Sequence, residues 1–355
     1  VETRKVRKNP DAGKSIVFLG VFSENPPMPS TANVLIHESQ FPGNVRRDLL
    51  ESLRSRRVNH KFHYDSVKQT NKWLALHQVY SPSRNDADCA ATYDRSFEAA
   101  VGKMSADRVH LVGLGCGGGQ KDSRLLHLLK AAGKEVFYTP CDVSTAMVLV
   151  ASQAALRMVP DSNCFPFVCD LISADDLEAV LDRQSPPGVA RLISFFGMIP
   201  NFEPELILPK LANLIRPDDT LLFSANLAPG PDYASGVQVI LPQYNNEPTR
   251  EWLMTFLLDL GVERSDGELR FDISEDSAGS GLKRVEARFH FRQDREVQVE
   301  GERFRFEAGE SVRLFFSHRY TPALVEKALA THGLRVADRW ITGSDQEGVF
   351  LVKRS

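Results

Sequence analysis

Five of the seven residues from Gly113 to Gly119 are glycine, in the stretch HLVGLGCGGGQKD that links an apolar run to a helical pattern. A backbone that bare belongs to a tight strand-to-helix turn, where a ligand can approach the main chain closely. Gly113, Gly115 and Gly118 fit the dinucleotide spacing G-x-G-x-x-G. Gly113, Gly115 and Gly117 fit the looser G-x-G-x-G of S-adenosylmethionine (SAM) sites. A phosphate-binding P-loop is excluded: Gln120 precedes Lys121, and Asp122 stands where Ser or Thr would hold magnesium. The glycines alone leave the other two ligands open.

The elements around the turn narrow the choice. From about residue 85, strands and helices alternate: RVHLVGL, EVFYTPCDV, FPFVCDL, RLISFFGM and DTLLFSANL read as buried strands, with helical patterns between them. Five such units predict a parallel, doubly wound α/β sheet with helices on both faces. After the helix TREWLMTFLLDLG, a run of alternating charged and apolar residues from LKRVEARF to SVRLFF reads as antiparallel strands with one wet face. The helix TPALVEKALATHG and the strands LRVADRWI and GVFLVKRS close the chain. A β-rich insert thus separates the fifth strand from a last helix and strand pair. That is the plan of a class I SAM-dependent methyltransferase, a Rossmann-like domain carrying a second, β-rich substrate domain. A dinucleotide enzyme would need a second mononucleotide-binding half instead. The expected division is an N-terminal extension over 1–39, a substrate-binding domain over 40–84 with 229–318, and a SAM-binding domain over 85–228 with 319–355.

Open α/β sheets bind ligands at the carboxyl ends of their strands. The second strand ends in Asp142, whose carboxylate can accept from both ribose hydroxyls. The third ends in Asp170 and Leu171, an acceptor for the adenine amino group and a cover for the ring. The fourth ends near Gly197 and Asn201. Asp142, two residues before Ser144, could equally cap the next helix. An NAD enzyme explains one acid at these strand ends, but not two, so the pair favours SAM.

Composition bounds the rest. With 42% hydrophobic and 25% charged residues in 355, the chain is an ordinary globular protein. A net charge of −3 gives no reason to expect nucleic acid, and no apolar run is long enough for a membrane span. Five scattered cysteines without C-x-x-C spacing signal neither a zinc site nor a disulfide framework, and the expected location is the cytoplasm. No metal is expected. The basic VETRKVRKNPDAGK reads as a loosely docked tail, RRDLLESLRSRR as an amphipathic helix, and His60 and His63 as surface or packing residues.

FHYD, VYSPSR, the glycine turn with its Gln-Lys, FFGMIPNFEPE and AGESVRLFFSHRYTP occur in this order from about residue 45 onward. In them the chain resembles the L-histidine Nα-methyltransferase family of ergothioneine biosynthesis, which includes fungal dimethylallyltryptophan N-methyltransferases. The resemblance implies SAM on Gly115, Gly117, Lys121, Asp142, Asp170 and Leu171, with Gly197 nearby. It gives the amino and carboxylate groups of the substrate to Tyr64, Tyr80, Asn201 and Tyr233, with Tyr64 and Asn201 nearest the reaction. Without the resemblance, Lys121 reads as a solvated first-turn lysine and each tyrosine as a half-buried packing residue.

Two departures stand out. Gly113 occupies the position of the acidic residue that holds the methionine amino group of SAM in the family. Phe315 occupies the position of a Glu that pairs with imidazole, two residues before the matching Ser317, and Ala287 that of a nearby Met. An apolar ring leaves an imidazole N–H unpaired, which costs roughly 1–3 kcal/mol. The expected activity is therefore SAM-dependent methylation of the α-amine of a small amino acid or derivative with an aromatic or apolar side chain. Alternatives are an O or C acceptor, or SAM binding without transfer. A one-residue slip in the insert would reverse which side chains face the pocket, bringing a different acid such as Glu310 into it.

Overall fold

The computed structural model describes residues 31–276 and 279–355; the basic N-terminal segment lies outside them. In chain order the strands are β1 (Leu35–Ile36), β2 (Arg108–Leu114), β3 (Glu135–Asp142), β4 (Phe167–Val168), β5 (Ala190–Phe195) and β6 (Thr220–Asn226). They continue as β7 (Gly267–Glu275), β8 (Lys283–Phe291), β9 (Arg295–Val299), β10 (Glu302–Phe306), β11 (Ser311–Arg319), β12 (Leu334–Ile341) and β13 (Glu347–Arg354). One sheet runs β1-β4-β3-β2-β5-β6-β13-β12, parallel from β1 to β6 and antiparallel beyond. Strand order reverses at β2, which lies between β3 and β5. The crevice for a ligand therefore opens where β2 ends, at the glycines.

Alternation along each strand feeds two cores. Val112 and Leu114 of β2 face helices Leu177–Gln184, Pro204–Leu214 and Pro322–Thr331, while Val109 and Leu111 face helices Ala87–Gly102 and Gln120–Ala131. Covered on both faces, the strand reads as a continuous apolar run. Its one buried polar residue, His110, is paired at 2.8 Å with both Ser185 and Thr139.

A third core joins helices Pro42–Arg54 and Glu247–Asp259 to the three-stranded antiparallel sheet β11-β8-β7 and the β9–β10 hairpin. The insert was expected to have one wet face throughout. β7 keeps an alternating exposure, but β11 is buried along nearly its whole length. One of its faces packs on this core, and the other carries Arg313 and Phe316 to the wall of a cavity. At the end of the expected N-terminal extension, Leu35–Ile36 adds an edge strand to β4, and the Ser39 hydroxyl accepts from the Asp170 backbone N–H at 3.0 Å.

Candidate active site

A cavity of about 520 Å³ lies at the carboxyl ends of β2, β3, β4 and β5. The glycine turn forms its floor. The Gly115 and Cys116 N–H groups donate to the Cys141 carbonyl at 2.8 and 3.0 Å, which folds the turn against the end of β3. Gly115 and Gly117 have φ of 70° and 51°, in the left-handed region that glycine enters without strain. A side chain at Gly115 would also overlap Met198, and one at Gly117 would come within 3.1 Å of Trp73.

Asp142 ties this turn to the next helix. One carboxylate oxygen accepts from Gly117 N–H and the other from Ser144 N–H, each at 3.0 Å. The helix cap itself is Ser144, whose hydroxyl accepts from Met147 N–H. A carboxylate has about four acceptor sites, so Asp142 keeps acceptor capacity for a ligand hydroxyl. Burial raises its pKa to about 6, against which the backbone N–H bonds act. Asp170 accepts from Ile172 N–H at 3.0 Å and the Ser173 hydroxyl at 3.1 Å, and lies 3.5 Å from the Lys61 ammonium. Lys61 is also paired with Asp48. Leu171 and Gly197 complete this side, and nothing crowds the space a Gly197 side chain would take.

Lys121 lines the cavity but is no solvated lysine. Its ammonium donates to the Tyr93 hydroxyl at 2.9 Å, lies 4.2 Å from the centre of that ring and is 4.0 Å from Glu347. Burial lowers its pKa, opposed first by Glu347. Beneath the turn lies Asp122, almost fully buried, which accepts from the Ser194 hydroxyl at 2.7 Å and the Tyr138 hydroxyl at 2.8 Å. A Cβ at Gly113 would overlap its carboxylate. The acid absent from position 113 is thus matched by one reaching the same space from the following helix. Burial raises Asp122 to about 6 as well.

Tyr64 and Asn201 both line the cavity. Tyr64 packs edge-on to Trp73 at 6.0 Å and lies 5.5 Å from Trp252. Burial, then the charge of Asp142, raises its phenol well above the ordinary value, so it stays protonated.

Five expected residues do not reach the cavity. Tyr80, the last residue of helix Val67–Tyr80, is 50% exposed on the outer surface. Tyr233 spends its hydroxyl on the backbone, donating to the Arg319 carbonyl at 2.6 Å and accepting from Lys283 N–H at 2.8 Å. Phe315 and Ala287 are paired across β11 and β8 in the third core, and Ser317 bonds the Tyr244 hydroxyl at 2.8 Å. The cause is a β-bulge between Arg313 and Phe315. It inserts one residue, so Phe315 stays with the core and Phe316 joins Arg313 on the cavity side. Glu310, just before β11, does not line the cavity and accepts from Glu307 N–H at 2.9 Å.

Other lining residues were not foreseen as site residues. Trp73 and His77 stack at 4.7 Å on one face of their helix, beside Ser83 and Arg84. The last two stand in VYSPSR, where only the tyrosine had been singled out. His60, Arg57, Glu203, Arg313 and Phe316 form the opposite end. His63 is a packing residue, with its ring bonded to the Leu314 carbonyl at 2.7 Å.

Residues 45–354 match the family described as "Histidine-specific methyltransferase, SAM-dependent". The chain belongs to this family. It is 23% identical to the N-methyltransferase imqF of Aspergillus flavus over 281 residues, 76% of this chain and 73% of that protein. Solved structures it is similar to include the mitomycin 7-O-methyltransferase MmcR, with 14% identity, 89% of this chain, 70% of that one and a TM-score of 0.41. Another is the magnesium protoporphyrin IX methyltransferase ChlM of Synechocystis PCC 6803 with bound S-adenosylhomocysteine (SAH), with 13% identity, 83% of this chain, 98% of that one and a TM-score of 0.42.

The family match and the strand order together make the protein a SAM-dependent methyltransferase of class I fold. The residues present fit the cofactor. Two glycines at positive φ clear the approach to the main chain, and Asp142 retains free acceptor capacity at the end of β3. Among the described residues, no helix is long and apolar enough to cross a membrane.

Proposed function

We propose that this methyltransferase acts on the α-amine of a small amino acid or derivative with an aromatic or apolar body. The observation that carries the reading is that Tyr64 and Asn201 share one cavity with the glycine turn, with Tyr64 near enough to Asp142 to feel its charge. The N-methyltransferase from Aspergillus flavus supports nitrogen as the acceptor. Residues 85–228 with 319–355 then carry SAM, and 40–84 with 229–318 carry the acceptor.

In this reading Gly115, Gly117 and Gly197 offer bare main chain, Asp142 accepts from the ribose hydroxyls, and Asp170 with Leu171 receives the adenine. Asp122 serves the methionine ammonium in place of an acid at Gly113. Lys121 braces the turn from beside Tyr93. When bound, SAM supplies an electrophilic methyl group on a sulfonium. The chain's own task is positioning, which can recover roughly 7–11 kcal/mol of a barrier. A phenol held protonated can donate through its hydrogen and accept through its lone pairs, so Tyr64 orients an amine that attacks in its neutral form, its ammonium proton having gone to solvent. The Asn201 carboxamide oxygen accepts an amine N–H. Trp73, Phe202 and Phe316 offer flat apolar surface to the body of the acceptor.

A turnover screen with SAM over amino acids and aromatic amines, with the added methyl located by mass spectrometry, tests the proposal. Methyl on nitrogen is expected, and methyl on oxygen or carbon alone would overturn it. Histidine should turn over poorly. The carboxylate at the acceptor end, Glu203, is already engaged by Arg284 at 2.9 Å and is poorly placed to serve an imidazole N–H.

A further inference from the structure

The acceptor end of the cavity carries more positive charge than its carboxylates balance. Arg313, on β11, is 8% exposed, and its nearest carboxylate is Glu286 at 3.4 Å. Glu286 is already shared by Arg284 at 2.9 Å and Arg288 at 2.8 Å, while Glu203 is held by Arg284. Arg57 adds a fourth guanidinium, and among the described residues its side chain meets no carboxylate. Backbone bonds fix these two arginines side by side. Arg313 N–H donates to the Arg56 carbonyl, and Val58 N–H to the Arg313 carbonyl, each at 2.9 Å. His60 lies 4.7 Å from Phe316, and among the described residues both its ring nitrogens lack a partner. Burial and the surrounding cations keep that ring neutral, with one N–H to donate. Phe316 braces the Arg313 guanidinium from 4.8 Å.

A buried guanidinium without a carboxylate of its own is unfavourable, and an anionic ligand offsets that cost. The tyrosines expected to hold the substrate carboxylate, Tyr80 and Tyr233, lie away from the cavity. We propose that Arg313 and Arg57, flanked by His60 and Phe316, bind the carboxylate of the methyl acceptor, so that the acceptor is a carboxylate-bearing amine. This rests on the reading that the cavity methylates an amine. Planar guanidiniums suit the task because they present paired N–H donors matched to two carboxylate oxygens.

The test is calorimetry on SAH-saturated protein with indole-3-propionate and its neutral isostere indole-3-propionamide, neither of which can be methylated on an α-amine. The acid should bind roughly tenfold more tightly than the amide, as expected for a charge-assisted hydrogen bond. Arg57→Gln, on an exposed side chain, and Arg313→Lys should each erode that preference while SAH affinity is unchanged. Equal binding, no binding of either probe, or a preference that survives both substitutions overturns the proposal. L-tryptophan and L-tryptophanamide, compared as methyl acceptors, separate the two readings. Arginine-dependent acid binding with no amine methylated leaves the anion site standing and removes the amine reading. Methylation of both acceptors with equal efficiency removes the anion site and leaves the amine reading intact.

Discussion

At the glycine-turn end of the cavity, the groups facing a ligand come from successive strand ends, including the carboxylates of Asp142 and Asp170, and from the first turn of the helix after the glycines, which adds Asp122. At the other end they come from residues 57–60, from Glu203, and from Arg313 and Phe316, and the charges are mainly those of arginines. The first end is a local construction repeated once per strand of the sheet. The second exists only where a loop near the N-terminus meets the far strand of an insert. The difference teaches how each end is specified. The strand-end acids take their places from their position along the chain, whereas one bulge in β11 decides which side chains of that strand face the cavity.

The largest expected effect separates the two faces of that strand. Phe315→Ala should lower stability by about 3–5 kcal/mol, as for an aromatic ring removed from a packed core. Phe316→Ala should cost less, because one side of its ring borders the cavity, and should weaken acceptor binding instead. Urea denaturation and acceptor KM distinguish them. Equal stability losses with unchanged acceptor binding would mean that the bulge does not divide core from site.

Next in size is Asp142→Ala, which should weaken SAH binding at least tenfold, about 1.4 kcal/mol, by calorimetry. Unchanged affinity in a folded variant would reduce Asp142 to a brace for the glycine turn and Ser144.

A smaller, graded effect comes from pH. Burial raises Asp122 and Asp142 to about 6, above the usual 3.8. Between about pH 4 and 6 the folded protein holds protons that the unfolded chain has released. These two groups therefore stabilise the ligand-free protein less as pH rises through that window. Ligand hydroxyls and an ammonium need the ionised carboxylates, so SAH affinity runs the other way. It should be steady above pH 7 and fall below about 6, by at most about tenfold per unit for each group. In Asp142→Asn the fall should become shallower.

The smallest expected effect is that of Tyr64→Phe, which should leave SAH affinity unchanged and lower kcat roughly several-fold through loss of orientation. Loss of SAH affinity with normal kcat would place Tyr64 at the cofactor end.

The parallel sheet was legible because its strands are apolar on both faces and its helices amphipathic, and β2, β3, β5 and β6 lie where their apolar runs predict. The glycine-turn end of the cavity was legible for the same reason: once the strands are placed, Asp142, Asp170, Leu171 and Gly197 are strand-end residues by position, and all four line the cavity. Tyr80 and Tyr233 were misplaced because a motif gives a residue's place along the chain but not its rotation about a helix or its backbone partners. Asp122 was within the quoted glycine stretch, yet only the folded turn brings its carboxylate under Gly113.

The sequence by itself determined the order of strands and helices, the ligand-facing turn and the acids at the strand ends. Each of these depends on periodicity or on neighbours a few residues apart, and such patterns survive in one dimension. Tertiary structure alone decided which side of β11 faces the cavity, that Leu35–Ile36 adds an edge strand to the sheet, and that Arg57 stands beside Arg313. Side-chain direction in a strand reverses with each residue, so a single bulge carries Phe316 into the cavity and leaves Phe315 in the core. The pairing of residues 57 and 313 rests on backbone bonds between segments some 250 residues apart, and only the packed fold brings such segments together.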